Sequence, residues 1–106
     1  MVKAKFWETR ANNTQLKTQL MLASANHEIR EDVVLKRLVT RAGHRLKVSG
    51  DSVTVSRQIA VDLGYYLFCH HYRMPRAAYD LLAVAQAIDA NQRASARIVE
   101  FSSSKQ

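Results

Sequence analysis

The sequence predicts a single, mainly helical α+β domain in which an N-terminal strand precedes about four helices. Glycine occurs only three times and proline once in the 106 residues, so few positions interrupt a helix. Between residues 14 and 91, apolar residues recur mostly at helical spacing. By contrast, segments 2–8 and 97–101 favour short strands, the first because polar and apolar residues alternate along it.

The opening segment, MVKAKFWETR, is the most informative part of this pattern. In a strand, successive side chains point to opposite faces. Lys3, Lys5 and Trp7 would then share one face, while Ala4 and Phe6 share the other. A strand at this position has unpaired edges, which it can satisfy by pairing with its copy in a second subunit.

Two helices are predicted to follow this strand. The first covers about 14–25, with Asn13 or Thr14 as its N-cap, and the sequence SANH ends it. The second covers about 29–42, and Gly43 is its expected C-terminal stop. The expected core residues are Leu16, Leu20 and Ala23 in the first helix, and Val34 or Leu35, Leu38 and Ala42 in the second.

The segment 46–55 allows two interpretations. LKVSGDSVTV has the form of a short hairpin about a Gly50-Asp51 turn. Alternatively, the segment contains a plain loop in which Asp51 or Ser52 caps the next helix.

Two more helices are expected in the second half of the chain. The third covers about 56–73, and Pro75 ends it and suits the first turn of the fourth, which covers about 75–91. Their apolar faces comprise Ile59, Leu63, Tyr66, Leu67 and His70 in the third helix, and Ala78, Leu81, Leu82, Ala85 and Ile88 in the fourth. Residues 102–106 are expected to form a frayed tail.

Positive charge is concentrated in the first half of the chain. The net charge is +7, yet residues 1–50 contain ten Lys and Arg against four Asp and Glu. Residues 33–50 contain no acid, and Arg37 and Arg41 share a helix face that could follow a phosphate backbone. This asymmetry suggests a polyanionic partner such as nucleic acid, whereas the plainer interpretation is a solvated helix face.

The residue patterns indicate neither catalysis nor a cofactor. Cys69, His70 and His71 could suggest a metal site, but adjacent helical residues point in different directions and cannot chelate one ion. The chain has no glycine-rich phosphate loop and no nucleophile motif. We therefore expect a protein without enzymatic activity that uses no metal or cofactor.

The composition also predicts the compartment. Cys69 is the only cysteine, which excludes an intramolecular disulfide and fits a reducing environment. No apolar run approaches the roughly 20 residues that cross a bilayer, and no signal peptide is evident. We expect a cytoplasmic protein with no membrane partner.

Aromatic residues gather around the third helix. The cluster comprises Tyr65, Tyr66, Phe68 and Tyr72. These rings can belong to the core or to a subunit interface, or they can stack on single-stranded bases, and we prefer the subunit interface. The stretch QIAVDLG at 58–64 resembles the start of a helix-turn-helix, although we favour one continuous helix there.

The order strand, helix, helix over residues 2–43 resembles the ribbon-helix-helix DNA-binding regulators. These proteins are dimers whose paired strands form a ribbon that reads bases in the major groove. By position, Lys3, Lys5 and Trp7 match the outward strand residues of that family. The resemblance implies a homodimer, with residues 44–101 as a helical extension.

The sequence therefore predicts a small basic nucleic-acid-binding protein, specifically a dimeric transcriptional regulator or a plasmid or phage accessory factor. DNA is preferred over RNA as the partner. The expected contact residues are Lys3, Lys5, Trp7, Arg10, Arg37, Arg41, Arg45 and Lys47. The alternative is a non-enzymatic α+β interaction module or inhibitor that binds an acidic protein.

Overall fold

The computed structural model of the chain describes the backbone of residues 2–104 and the side chains of residues 10–92. Within that backbone every regular element is a helix, and no strand occurs. The predicted α+β class is therefore wrong. The helices are α1 (Val2–Ala25), α2 (His27–Glu31), α3 (Val33–Ser49), α4 (Ser52–Cys69) and α5 (Arg76–Ser104).

Both predicted terminal strands are parts of long helices. Segment 2–8 belongs to α1, and segment 97–101 belongs to α5. An unpaired strand would leave its backbone N–H and C=O groups without partners, whereas a helix satisfies these groups within the segment. Each segment also continues directly from a helix that is anchored in the core, so extending that helix requires no new nucleus.

The junctions around α2 use two polar caps. The predicted interruption at SANH is confirmed, because α1 ends at Ala25 and the Asn26 side chain accepts a hydrogen bond from the Ile29 N–H at 3.2 Å. Asp32 caps α3, and its Oδ1 accepts from the N–H groups of Val34 and Leu35 at 2.9 and 3.1 Å. The predicted second helix is therefore two helices that join at Asp32.

The predicted N-cap at Asn13 or Thr14 is wrong, because both residues lie inside α1. Asn13 instead joins two helices: its Nδ2 donates to the carbonyl oxygen of Gly50 at 3.0 Å. This contact connects the middle of α1 to the C-terminal cap of α3.

Gly43 does not end α3, contrary to the prediction. A glycine inside a helix costs about 1 kcal/mol relative to alanine, but burying a leucine side chain contributes about 1.5–3 kcal/mol. The next turn brings Leu46 into the core with 7 % of its surface exposed, so continuing the helix is favourable. The helix ends at Ser49, and its C-cap Gly50 takes the left-handed conformation with φ of 67°.

The predicted hairpin at 46–55 is also wrong, and its alternative, a capped loop, is confirmed. The Asp51 side chain accepts a hydrogen bond from the Thr54 N–H at 3.1 Å. Its second carboxylate oxygen accepts from the Thr54 hydroxyl at 2.7 Å. These bonds start α4 immediately after the turn that ends α3.

The buried apolar side chains form one cluster between the helices. Helix α5 packs on α1 and α4, and α3 also packs on both of these helices. Most of the predicted core is confirmed, although His70 is exposed and Leu67 is only half-buried. The correctly predicted core residues include Leu16, Leu20, Ala23, Leu35, Leu38, Ala42, Ile59, Leu63, Tyr66, Ala78, Leu81, Leu82, Ala85 and Ile88.

Candidate nucleic-acid interface

The outer half of α3 carries the densest positive charge in the described part of the molecule. The inner half is buried in the core through Leu35, Leu38, Val39, Ala42 and Leu46. All six basic or histidine side chains of the helix are exposed, namely Lys36, Arg37, Arg41, His44, Arg45 and Lys47. Because the helix contains no acid, its whole solvent-facing half is cationic or neutral.

The three arginines of this surface form one row. Arg37, Arg41 and Arg45 recur at every fourth position, so they share a face of the helix. The row extends about 12 Å along the helix axis, which is comparable to the width of the DNA major groove. We call the six exposed residues of α3 the basic face.

No ion pair among the described side chains neutralises a charge of the basic face. The ion pairs among the described side chains, His27–Glu31 at 2.9 Å and Arg57–Asp89 at 3.2 Å, do not involve α3. Across the α3–α4 boundary, the acid Asp62 lines a small depression together with Arg41 and Arg45. One oxygen of the Asp62 carboxylate accepts a hydrogen bond from Gln58 at 2.9 Å.

The structure brings together only part of the predicted site. Arg37, Arg41, Arg45 and Lys47 share the basic face, whereas Arg10 is an exposed residue of α1. Side chains of Lys3, Lys5 and Trp7 lie outside the described residues. Their backbone is helical, so the alternating face that the strand prediction gave them is wrong.

A groove between α1 and α3 runs beside the basic face and has a volume of about 710 Å³. Leu20, Val39 and Leu46 contribute its apolar floor, while Lys17 from α1 and Lys47 from α3 line it as well. Sequence reasoning missed Lys17, because its place in the same groove as Lys47 depends on the packing of helices that are distant in sequence. The remaining lining residues are Asn13, Thr14, Met21, Ser24, Thr40 and Gly43.

The end of α4 contains a polar cluster near the core. Tyr66 is buried, donates a hydrogen bond from its hydroxyl to Asp32, and stacks on the ring of His70 at a centroid distance of 3.8 Å. Burial, together with the hydrogen bond to the Asp32 carboxylate and its charge, raises the pKa of Tyr66 to about 12. Among the described residues, no group of three or more potential ligands is arranged to hold a metal ion.

Comparison with known proteins gives no family assignment: no family model matches the chain, and neither curated proteins nor solved structures provide a significant match. The resemblance to ribbon-helix-helix regulators therefore receives no support from these comparisons. The ribbon of that family requires a strand, and segment 2–8 is helical. None of the described helices is both long and apolar enough to cross a membrane.

Proposed function

We propose that the protein binds nucleic acid through the basic face of α3, with DNA as the preferred partner. The observation that carries this proposal is the absence of any acid from a 17-residue helix whose exposed half holds six basic or histidine side chains. Lysine and arginine side chains that neutralise phosphates release condensed counterions, and this release supplies most of the non-specific affinity for DNA. The biological role that we propose is a homodimeric regulator or a plasmid or phage accessory factor.

A helix that is only solvated has no reason to segregate its charges in this way. Solvent-exposed helices usually mix both signs, which allows favourable pairs four residues apart. Here Arg37 and Arg41, and again Arg41 and Arg45, place like charges at that spacing. Each such pair destabilises a helix by about 0.2–0.5 kcal/mol, whereas a bound phosphate backbone would relieve the repulsion.

The test is duplex binding measured by fluorescence anisotropy over a range of salt concentrations. If five phosphates contact the five lysines and arginines of α3, log affinity falls with log salt at a slope of about −4.5. The triple variant Arg37→Gln/Arg41→Gln/Arg45→Gln should lose at least about tenfold in affinity and show a shallower slope. An RNA duplex of the same sequence measures the preference for DNA.

A matched control removes the same charge from elsewhere on the surface. Arg30, Arg73 and Arg76 are exposed and lie outside α3, so the triple Gln variant of these residues changes the net charge equally. The proposal expects this control to keep most of the wild-type affinity. Equal losses in the two variants would mean that net charge alone attracts DNA, and no duplex binding at low salt would refute the proposal.

A second candidate function rests on the groove between α1 and α3. An apolar floor flanked by Lys17 and Lys47, with no acid among the lining residues, complements an amphipathic helix that carries acidic residues beside its apolar side. This favours an interaction module that takes an acidic segment of a partner protein. The α+β fold that the sequence predicted for this interaction module is wrong, because the described backbone contains helices and no strand.

A synthetic amphipathic peptide with leucines at helical spacing and flanking glutamates tests the second candidate. Gly43 lines the groove and a Cβ there would meet nothing within 4 Å, so Gly43→Leu should fill the groove without disturbing the core. We expect the peptide to bind the wild type and not the variant, and a scrambled peptide to bind neither. Failure of the peptide to bind the wild type would exclude this candidate.

A further inference from the structure

Helix α4 exposes an apolar face that the core does not use. Val61, Tyr65 and Phe68 lie on one side of the helix at spacings of four and three residues, and their exposed fractions are 61, 70 and 71 %. Tyr72, which follows the end of the helix, is 68 % exposed. We call these four residues the α4 patch.

The α4 patch is large for a surface feature of a small domain. An aromatic side chain can bury about 150–250 Å², so three rings that are about 70 % exposed present roughly 300–500 Å². With Val61, the patch is comparable to the largest apolar patches on ordinary monomers, which are often functional. Apolar residues scattered singly over a surface need no such explanation.

Gly64 lies on the same side of α4, three residues after Val61 and four before Phe68. It is exposed in the middle of the helix, and a Cβ there would meet nothing within 4 Å. Glycine is a poor helix former, and no packing among the described side chains requires it here. A glycine on a helix surface permits another backbone or a large side chain to approach closely.

The chain also holds Tyr72 in an unusual conformation. The Tyr72 N–H donates to the carbonyl oxygen of Leu67 at 2.7 Å, as in a Schellman motif, and His71 occupies the left-handed position at which glycine is usual. Tyr72 itself has φ of 61°, and its carbonyl oxygen accepts a hydrogen bond from the Tyr79 hydroxyl at 2.5 Å. Two successive non-glycine residues in this region are strained, and such strain concentrates at functional positions.

We propose that the α4 patch and Gly64 form the contact between two copies of this chain. If two α4 helices cross antiparallel with the two-fold axis between Gly64 and Tyr65, each Tyr65 ring meets the open surface at Gly64 of the other copy. Val61 of each copy then meets Phe68 of the other. A face that matches itself in this way is what an isologous two-fold interface requires.

Charge also favours a second copy as the occupant. Each chain carries a net charge of +7, and the α4 patch contains no charged residue, so two copies can meet there without apposing like charges. The roughly 300–500 Å² that each copy contributes corresponds to the small end of specific interfaces, below about 1,200 Å² in total, so the dimer is expected to be weak and concentration-dependent. Single-stranded nucleic acid could stack on the rings, but stacking gives Gly64 no role.

This inference rests on the homodimer of the proposed function and supplies its contact surface, and the measurement of dimerisation that tests it contains no nucleic acid. Light scattering after size exclusion, in high salt and over a range of protein concentrations, measures the dimer dissociation constant. Phe68→Glu should raise that constant at least about 30-fold, because the carboxylate would be buried in the contact. Leu22→Glu is the control, since Leu22 is 58 % exposed on α1 and the charge change is the same.

Gly64→Leu provides a second variant that separates association from folding. Because nothing lies within 4 Å of a Cβ at this position, the fold should keep its melting temperature or gain stability. The dimer should nevertheless weaken at least about tenfold, because the added side chain occupies the space of the opposing Tyr65 ring.

Each outcome either supports or overturns the proposed contact between two copies. A wild type that is monomeric at every concentration overturns the inference, as does a dimer that both α4 variants leave intact. A monomer whose affinity for oligo(dT) falls in the Phe68→Ala variant would assign the patch to base stacking and also overturn it. A dimer that is sensitive to both variants but binds no DNA supports the inference and refutes only the proposed function.

Discussion

Asp32 holds the N-terminal end of α3 against α4, and its removal gives the most quantitative test of the fold. One oxygen of its carboxylate caps α3 through the N–H groups of Val34 and Leu35, and the other accepts a hydrogen bond from the Tyr66 hydroxyl. Partial burial raises the pKa of Asp32, but these hydrogen bonds outweigh burial and lower the pKa below its ordinary 3.8. The ionised carboxylate is therefore the form that the fold stabilises.

The magnitude follows from the two contacts. Loss of an aspartate N-cap costs about 1 kcal/mol, and loss of a hydrogen bond to a charged acceptor costs about 1.5–3 kcal/mol. Asp32→Ala should therefore lower the free energy of unfolding by about 2–4 kcal/mol at pH 7. Asp32→Asn keeps a good capping residue but presents an NH2 group to Tyr66 in place of a charged acceptor oxygen, so we expect a loss of about 1–2 kcal/mol.

Urea denaturation of the wild type, Asp32→Asn, Tyr66→Phe and the double variant measures the coupling between the two side chains. Since they share a hydrogen bond, the double variant should lose less stability than the sum of the single losses, by about 1 kcal/mol or more. The reasoning is refuted if the single losses add within about 0.3 kcal/mol, or if Asp32→Ala costs less than about 0.5 kcal/mol.

The pH dependence gives an independent check with two windows. Because folding lowers the pKa of Asp32, its contribution is complete above pH 3.8 and is lost as the pH falls through the lower folded-state pKa. Folding raises the pKa of Tyr66 from 10 to about 12, so that contribution is complete below pH 10 and is lost as the pH rises through about 12. The wild type and Tyr66→Phe should therefore differ in stability by a constant amount between these windows.

The remaining predictions concern helix termini and interiors, each measured by urea denaturation at neutral pH. Gly43→Ala should raise the free energy of unfolding by about 1 kcal/mol, because the new Cβ meets nothing within 4 Å. Asp51→Ala should lower the free energy of unfolding by about 1 kcal/mol, since α4 loses the N-cap that accepts from the Thr54 N–H. Asp51→Asn should retain most of that stability, because asparagine is also a good N-cap. Leu81→Ala should lower the free energy of unfolding by about 2–5 kcal/mol, because Leu81 is fully buried. A neutral effect at Leu81 would contradict the assigned core.

The sequence predicted the core better than it predicted the elements. Helical spacing identified Leu16, Ile59 and Leu81 as buried, because the side of a helix that faces the core depends on local periodicity alone. Two-residue alternation in segment 2–8 was misleading, since a short stretch of alternation is weak compared with the gain from extending an anchored helix. The stop at Gly43 failed for a similar reason, because burial of Leu46 outweighs the glycine.

Features that depend on tertiary packing could not be predicted from spacing. The hydrogen bond between Tyr66 and Asp32 joins residues 34 positions apart, and the groove is lined by both Lys17 from α1 and Lys47 from α3. The arginine row could be predicted, because Arg37 and Arg41 lie on one helix and need only the periodicity of that helix. Local patterns therefore indicated the charged surface, while the groove and the capping network required the fold.

The three glycines differ in whether the fold itself requires them. Glycine is required at position 50 by the backbone, since the φ of 67° there is disfavoured for other residues. Gly43 and Gly64 lie inside helices where a Cβ would meet nothing, so each forgoes about 1 kcal/mol that alanine would contribute. Against a total stability of about 5–15 kcal/mol, the two together are a substantial loss. Gly43 lines the α1–α3 groove and Gly64 lies beside the α4 patch, so both losses fall where an approaching partner would use the open space.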